Sequence, residues 1–227
     1  MSAFERTINL IGQDNFEKLQ SKKIIVFGVG GVGGYVVEML VRSGINNLTI
    51  VDFDKVNISN LNRQIVALNS TVGFYKVSAF KDRILDINPQ INLHISNERL
   101  CAENLDDFML CQYDYVIDCI DSFQDKLALI EYCSKNNINI ISSMGAGNRY
   151  KQTTFKIMDI SKTQNNALAK KIRLALRKMG IKKLTVCSTD SPNDNTFDKT
   201  KVLSISFNVA LCGITIASFI INDIIKD

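Results

Sequence analysis

A cluster of glycines constrains the fold of this chain more than any other feature. The apolar run from Ile24 to Phe27 stops at glycine, and five glycines fall within Gly28–Gly34. A buried strand that ends in glycines and leads into a helix lets backbone amides approach a phosphate group. The candidate phosphate-binding positions are Gly28, Gly30, Gly31 and Gly33.

A carboxylate follows the cluster at the spacing expected of a nucleotide-binding fold. Asp52 ends the next apolar run, near the ~20-residue spacing typical of a carboxylate that binds ribose hydroxyls. The glycines and Asp52 alone fit NAD and ATP equally well.

Strand-like and helix-like segments alternate along most of the chain. Strands are predicted over 24–27, 48–51, 91–95, 115–117 and 138–141, and helices over 35–41, 77–87 and 123–132. This alternation predicts a Rossmann-like α/β fold, a doubly wound and mainly parallel sheet with helices on both faces.

The pattern changes after residue 147. Further strands are predicted over 154–160 and 184–186, a helix over 166–179 and a loop over 188–201, so the C-terminal part is expected to extend the sheet. We predict a single domain over 1–227, with a nucleotide-binding part at 1–147 and a basic C-terminal part at 148–227.

The charge is unevenly distributed. The net charge is +4, but residues 148–201 contain 13 Lys and Arg against four Asp, a balance of +9 that leaves −5 for the rest. Seven cations fall within residues 170–183, and Lys170, Arg173 and Arg177 share one helical face. This pattern fits a polyanionic partner, or else an ordinary solvated helix face.

Composition also bears on the cellular compartment. None of the six cysteines forms a CxxC pair, and no spacing resembles a zinc site. No apolar run follows a basic N-terminus, so we expect reduced thiols and a cytoplasmic location. The apolar stretch 205–221 is at the lower edge of membrane-spanning length, but Asn208 and Gly213 favour a buried helix.

Three further residues separate ATP chemistry from NAD binding. When a carboxylate attacks the α-phosphorus of ATP, charge builds on phosphate oxygens, and fixed cations stabilise it. Arg63 and Lys76 follow the second strand, and Asp121 follows the fourth, where it is placed to hold a magnesium ion. Together these residues favour adenylation of a carboxylate over hydride transfer.

This set of residues resembles the ubiquitin-activating-enzyme-like superfamily, the group of ThiF, MoeB and HesA. The matching segments are the glycine cluster, Asp52-Phe53-Asp54, Ser59-Asn60, Arg63-Gln64, Lys76 and Asp121. The resemblance implies that Asp52 holds the ribose, that Arg63 and Lys76 bind phosphates, and that Asp121 holds magnesium. It also implies an ATP-binding set that includes Asp54, Asn60, Gln64 and Ser122. Arg6 resembles an arginine that family members insert into the partner subunit's site, which implies a homodimer.

One branch of the superfamily matches further segments of the chain. The segments 63–68, 84–89, 115–122, 142–148 and 159–163 are similar to those of the tRNA threonylcarbamoyladenosine dehydratases, over about residues 4 to 190. This resemblance implies ATP-dependent cyclisation of threonylcarbamoyladenosine in tRNA to its cyclic form through an acyl-adenylate. It makes tRNA the expected partner of the basic helix, through Lys170, Lys171, Arg173, Arg177 and Lys178.

The chain departs from that branch in three places. Tyr75 replaces a frequent proline, an expected Asp-Pro is missing near Lys151-Gln152, and the region Pro192–Ser204 is shortened. These departures leave the predicted ATP pocket intact and bear on how tRNA is held.

Several alternatives stay open at this level. The chain also fits an adenylyltransferase for a ubiquitin-like sulfur-carrier protein, or a non-catalytic nucleotide-binding sulfur-relay adaptor. Cys187 is a candidate nucleophile, against the commoner role of a packing residue, and the single histidine, His94, is distant in sequence. A sulfur-relay protein partner and a monovalent cation, sodium or potassium, are further open possibilities.

Overall fold

A seven-stranded sheet forms the centre of the molecule. The computed structural model describes residues 3–194 and 201–226. The strands are β1 (Lys23–Phe27), β2 (Asn47–Val51), β3 (Asn92–Ser96), β4 (Tyr115–Asp118), β5 (Ile140–Ser143), β6 (Lys156–Asp159) and β7 (Thr185–Ser188). Their order is β3-β2-β1-β4-β5-β7-β6, and all neighbours are parallel except β6 and β7.

The helices cover both faces of this sheet. They are α1 (Glu5–Ile11), α2 (Gln13–Ser21), α3 (Gly33–Arg42), α4 (Lys76–Ile87), α5 (Phe123–Lys135), α6 (Ala167–Lys178) and α7 (Ser206–Lys226). Side chains of β1 alternate between two cores: Ile24 and Val26 pack with α3, α4 and α7, whereas Ile25 and Phe27 pack with α5 and α6. The predicted Rossmann-like α/β fold is therefore confirmed, including the extension of the sheet by the C-terminal part.

The strand order places a crevice beside β1. The chain moves outward from β1 through β2 to β3, and then returns to β4 on the other side of β1. At such a switch point the connections after neighbouring strands diverge, and ligands bind outside the carboxyl ends of the strands. The glycine cluster follows β1 at this position.

The apolar C-terminal segment forms α7, which is long and apolar enough, by length and composition, to cross a membrane. One face of the helix is buried, with Val209, Cys212, Ile216 and Ile220 in the core beside α3. The close approach depends on Gly213, because a Cβ there would lie 2.5 Å from the carbonyl oxygen of Val32. The predicted buried helix is present and continues to Lys226.

Candidate functional site

A large cavity lies at the carboxyl ends of the central strands. Its volume is about 1460 Å³, and residues from both the 1–147 and 148–227 parts line it. The structure brings most of the predicted nucleotide-binding residues to its wall: Gly28, Gly30, Gly31, Asp52, Asp54, Asn60, Arg63, Gln64, Lys76, Asp121 and Ser122. These residues lie far apart in sequence, and the fold collects them because each follows a strand of the same sheet.

The glycine loop is shaped by two close backbone approaches. Gly28 has φ +82°, and a Cβ there would lie 2.8 Å from the carbonyl oxygen of Cys119. Gly33 lies beneath the loop and does not line the cavity. A Cβ at Gly33 would overlap the carbonyl oxygen of Gly28. Only glycine fits at these two positions, so the backbone of the loop itself faces the cavity.

Asp52 lies buried at the end of β2 and organises the loops around it. Its carboxylate accepts hydrogen bonds from the backbone N–H of Val29 at 2.8 Å and of Asp54 at 2.9 Å. Burial raises the pKa of Asp52 above its ordinary value, and this effect exceeds the opposing effects of Lys76 and the two backbone hydrogen bonds. The aspartate therefore links the glycine loop to the β2–α4 connection.

Lys76 brings a buried positive charge to the first turn of α4. Its ammonium lies 2.7 Å from Asp54 Oδ2 and 3.7 Å from Asp52 Oδ1. Asp54 is half-exposed, whereas Lys76 is buried at the cavity wall. The cation is thus fixed beside the glycine loop, where phosphate oxygens of a nucleotide would be stabilised.

Arg63 and Gln64 form the next part of the wall. Arg63 Nη1 donates to the carbonyl oxygen of Ser59 and to Asn62 Oδ1, both at 2.9 Å, which orients its guanidinium. Gln64 is buried, and its Oε1 has no hydrogen-bond partner among the described residues. The Gln64 amide lies next to Gly30 of the glycine loop. Because a buried acceptor without a donor costs free energy, Gln64 Oε1 is placed to accept a hydrogen bond from a ligand. The wall therefore fits a bound nucleotide.

The opposite wall follows β4 and carries Asp121. Asp118, at the end of β4, is fully buried and accepts hydrogen bonds from Ser142 Oγ, from the backbone N–H of Ile120 and from Lys126 Nζ. Lys126 Nζ lies 2.7 Å from the Asp118 carboxylate, and both side chains have no exposed surface. Asp118 thus has a structural role beneath the loop that presents Asp121. Lys126, which does not line the cavity, supports the same loop, and the sequence pattern does not reveal it.

The basic helix reaches the same cavity. Lys170, Lys171 and Arg173 line it, whereas the exposed Arg177 and Lys178 lie further along α6. Arg173, predicted to bind tRNA, also has partners within the chain: its Nη1 donates to Thr163 Oγ1 at 2.6 Å and to the Thr163 carbonyl oxygen at 2.9 Å. The guanidinium of Arg173 is therefore committed in part to holding the turn before α6.

The structure argues against Cys187 as a nucleophile. Its side chain is buried outside the cavity, with Sγ 3.6 Å from Cys212 Sγ. The hydrogen bond to Cys212, together with burial, raises the pKa of Cys187 far above its ordinary value, so the thiol stays protonated. Cys119 does line the cavity, but burial and the charge of Asp118 raise its pKa as well. His94 lies on β3, away from every cysteine of the core.

Arg6 lies outside this cavity, whereas the described ends of the shortened region 192–204 contribute Asn193, Val202 and Ser204 to its wall. Arg6 is exposed on α1 and does not contribute to the cavity of its own chain. The shortened region 192–204 is described only at its ends, because residues 195–200 lie outside the described residues. Within the described ranges no group of three or more His, Cys, Asp or Glu side chains forms a metal cluster.

Comparison with known proteins identifies the family. The sequence matches the ThiF family over residues 4–226. The chain belongs to this family. It is 39% identical over 241 residues to the tRNA threonylcarbamoyladenosine dehydratase of Bacillus subtilis, covering 99% of this chain and 95% of that protein. It is 37% identical over 174 residues to the Escherichia coli dehydratase of the same name, covering 77% of this chain and 65% of that protein.

Solved structures of the ThiF family show the same architecture. The E. coli tRNA N6-threonylcarbamoyladenosine dehydratase TcdA, in complex with ATP, superposes with a TM-score of 0.93 at 30% identity. The match covers 99% of this chain and 94% of that one. The predicted family resemblance is thereby confirmed. A more distant relative, the molybdopterin-synthase adenylyltransferase of Haemophilus influenzae, is 34% identical over 57% of this chain.

Proposed function

We propose that this ThiF-family protein is an ATP-dependent tRNA threonylcarbamoyladenosine dehydratase. The observation that carries the proposal is the cavity, in which a glycine loop, a ribose-binding carboxylate, two cations and Asp121 converge in one pocket. The near full-length similarity to dehydratases, one of them solved with ATP, supports this substrate over other carboxylates.

The residues of the cavity divide the work of binding ATP. The glycine loop offers backbone N–H groups to the phosphates, Asp52 accepts from ribose hydroxyls, and Gln64 accepts from the nucleotide through its unpaired Oε1. Arg63 and Lys76 face the phosphates with fixed positive charge, and Asp121 would hold a magnesium ion that neutralises them further.

The proposed reaction activates a carboxylate and then displaces it. The threonyl carboxylate oxygen attacks the α-phosphorus of ATP, and the bond to the β-phosphate oxygen breaks to release pyrophosphate. The carbamoyl group of the same nucleotide then attacks the acyl carbon, a proton leaves, and AMP departs with the oxygen that the carboxylate loses. The product is cyclic threonylcarbamoyladenosine, lighter than its precursor by one water. The role of Arg63 and Lys76 is to stabilise charge on the phosphate oxygens during the first step.

The proposal includes partners and a location. Binding of tRNA is assigned to Lys170, Lys171, Arg177 and Lys178, with Arg173 contributing in part, because α6 carries its cations from the cavity outward. The enzyme acts as a homodimer in which the exposed Arg6 of one subunit completes the site of its partner, and it works in the cytoplasm. A sulfur-relay protein partner and a monovalent cation, sodium or potassium, stay predictions from the family resemblance.

Mass spectrometry of digested tRNA tests the proposed reaction. With threonylcarbamoylated tRNA and ATP, the wild-type protein is expected to yield a nucleoside lighter by one water. A folded, ATP-binding protein that gives no such loss contradicts the proposal. If pyrophosphate exchange then appears only with a carrier protein ending in Gly-Gly, the adenylyltransferase alternative takes its place.

Arg63→Ala tests the assigned pocket. Its guanidinium contacts only Ser59 and Asn62 within the described chain, so the fold should persist while release of AMP is lost. Lys81→Glu, on the exposed face of α4, is the control and should keep full activity. Unchanged AMP release by Arg63→Ala removes the phosphate-binding role of Arg63.

A further inference from the structure

Arg149 is a buried arginine at the wall of the cavity, directly after the Gly-Ala-Gly-Asn segment. Its guanidinium donates to three backbone carbonyl oxygens: Ser191 at 3.1 Å, Gly147 at 2.9 Å and Asn165 at 3.0 Å. The three acceptors belong to three separate segments: Gly147 lies after β5, Asn165 lies before α6 and Ser191 lies after β7. We call these three segments, with Arg149 at their centre, the Arg149 wall.

The guanidinium is held by neutral groups rather than by a carboxylate among the described residues. All three acceptors are carbonyls, and burial lowers the pKa of Arg149 while the charge of Asp194 offsets only part of that effect. Arginine nevertheless stays protonated in proteins. Among the described residues no carboxylate is bonded to the guanidinium, and its charge adds to those of Lys170 and Lys171 on the same cavity wall, where an anionic ligand would be stabilised.

The backbone of the wall is also strained. Asn148 has φ +63° and Asn165 has φ +49°, both in the left-handed region that residues other than glycine adopt infrequently. Each strained residue lies in, or next to, a peptide whose carbonyl oxygen Arg149 holds. Arg149 therefore holds the two left-handed turns of this wall in place through their carbonyl oxygens.

The wall lies away from the phosphates. In the sheet, β5 is two strands from β1 and β7 is three, which at ~4.8 Å per strand places the wall about 10–14 Å from the glycine loop. Gly147, Asn165 and Arg149 line the same cavity there, beside Lys170 and Lys171 of α6. This distance suits the second reactant of the cavity rather than the triphosphate.

We propose that Arg149 is a positioning residue that shapes this wall for the anionic RNA substrate, so that it governs use of the modified nucleotide and not binding of ATP. The proposal rests on the function proposed above. It places the threonylcarbamoyladenosine of the tRNA in the part of the cavity between β5, β7 and α6. Arg149 acts through the carbonyls of Gly147, Asn165 and Ser191, whose segments its planar guanidinium joins.

Steady-state kinetics of Arg149→Gln test this assignment. We expect kcat/KM for threonylcarbamoylated tRNA to fall at least tenfold, while the Kd of a non-hydrolysable ATP analogue changes less than twofold. Arg149→Lys should not restore activity, because a single ammonium does not span three carbonyls in three directions. Arg83→Gln is the matched control, since Arg83 binds Glu38 on a face remote from the cavity.

Each outcome decides the proposal. An equal loss of ATP-analogue and tRNA binding in Arg149→Gln, or rescue by Arg149→Lys, overturns the positioning role. If Arg149→Gln does not fold, Asn165→Gly is measured instead. Glycine keeps the left-handed turn but removes the hydrogen bond from Asn165 Nδ2 to the Asp190 carbonyl oxygen at 2.8 Å, so the wall loosens, and we expect lower kcat/KM for tRNA with unchanged analogue binding. A wild-type protein that produces no dehydrated nucleoside refutes the proposed function; an active wild type with an unaffected Arg149→Gln refutes the role of Arg149 alone.

Discussion

Replacing Lys126 by methionine probes the buried ion pair beneath the Asp121 loop. Lys126 Nζ lies 2.7 Å from Asp118 and 3.2 Å from Ser142 Oγ, and both ionic side chains are fully buried. Removing one partner of such a pair leaves an uncompensated charge and costs about 3–5 kcal/mol. Because Asp118 keeps its hydrogen bonds from Ser142 and from the Ile120 N–H, we expect a loss near the lower end, about 3 kcal/mol.

Urea and thermal unfolding measure this loss. For a domain of this size, about 3 kcal/mol lowers Tm by about 6–12 °C. The double variant Asp118→Asn with Lys126→Met should be more stable than Lys126→Met alone, because no buried charge remains and the introduced amide oxygen can still accept from the Ile120 N–H. Lys135→Met, on the same helix with an exposed partner in Glu131, should change stability by less than about 0.5 kcal/mol.

The same variant reports on the loop above the pair. Asp118 holds Ile120, so loss of its partner should loosen residues 119–122 and weaken binding of a magnesium–ATP analogue. A Lys126→Met protein within about 1 kcal/mol of wild type, with unchanged analogue affinity, would show that the pair neither stabilises the core nor supports the loop.

Three further variants test other parts of the structure. Gly33→Ala should lose ATP-analogue binding, because its Cβ overlaps the Gly28 carbonyl oxygen and distorts the loop. Gly30→Ala, whose Cβ makes only ordinary contacts with Gln64, should keep the shape of the loop. Calorimetric titration measures the affinity of each variant for the analogue. Burial raises the pKa of Glu38, but the hydrogen bonds and charges of Arg83 and Arg42 outweigh burial and leave the pKa below its ordinary value. The ionised Glu38 therefore stabilises the fold at neutral pH, and this stabilisation is lost as pH falls through the folded pKa. In Glu38→Gln, the free energy of unfolding should depend less steeply on pH below about pH 4. Lys170→Glu with Lys171→Glu should weaken tRNA binding and reduce the slope of log K against log salt by about 1–2, while Lys81→Glu, on the opposite face of the sheet, should not.

The nucleotide side of the cavity was accessible from sequence for a physical reason. In this fold the nucleotide-side residues follow strand ends, and strand ends are marked by apolar runs that stop at Gly28, Asp52 or Asp118. The spacing of Arg63, Lys76 and Asp121 from those ends therefore predicts that they lie near one another.

The supporting residues were not accessible in the same way. Lys126 in a helix and Arg149 in a loop look like ordinary surface cations, because their partners lie in other elements: Ser142 for the former, and Asn165 and Ser191 for the latter. The sequence leaves open whether Cys187 is a nucleophile or a packing residue, and the structure favours packing, since its burial follows from pairing with its neighbours in the sheet and from contact with α7.

Two of the buried cations, Lys126 and Arg149, suggest how one cavity handles two reactants. Lys126 is fully paired and neutralised beneath the loop of Asp121, so it fixes geometry on the nucleotide side without adding net charge there. Arg149 is held by carbonyls, so it fixes geometry on the other side and leaves positive charge. β7, α6 and most of the loops that Arg149 joins come from the C-terminal part. Residues 1–147 therefore contain the proposed ATP-binding residues but not most of the wall that faces them. The C-terminal part is therefore needed for the second half of the cavity, and it is there that substrate selection within a shared adenylation fold is expected to reside.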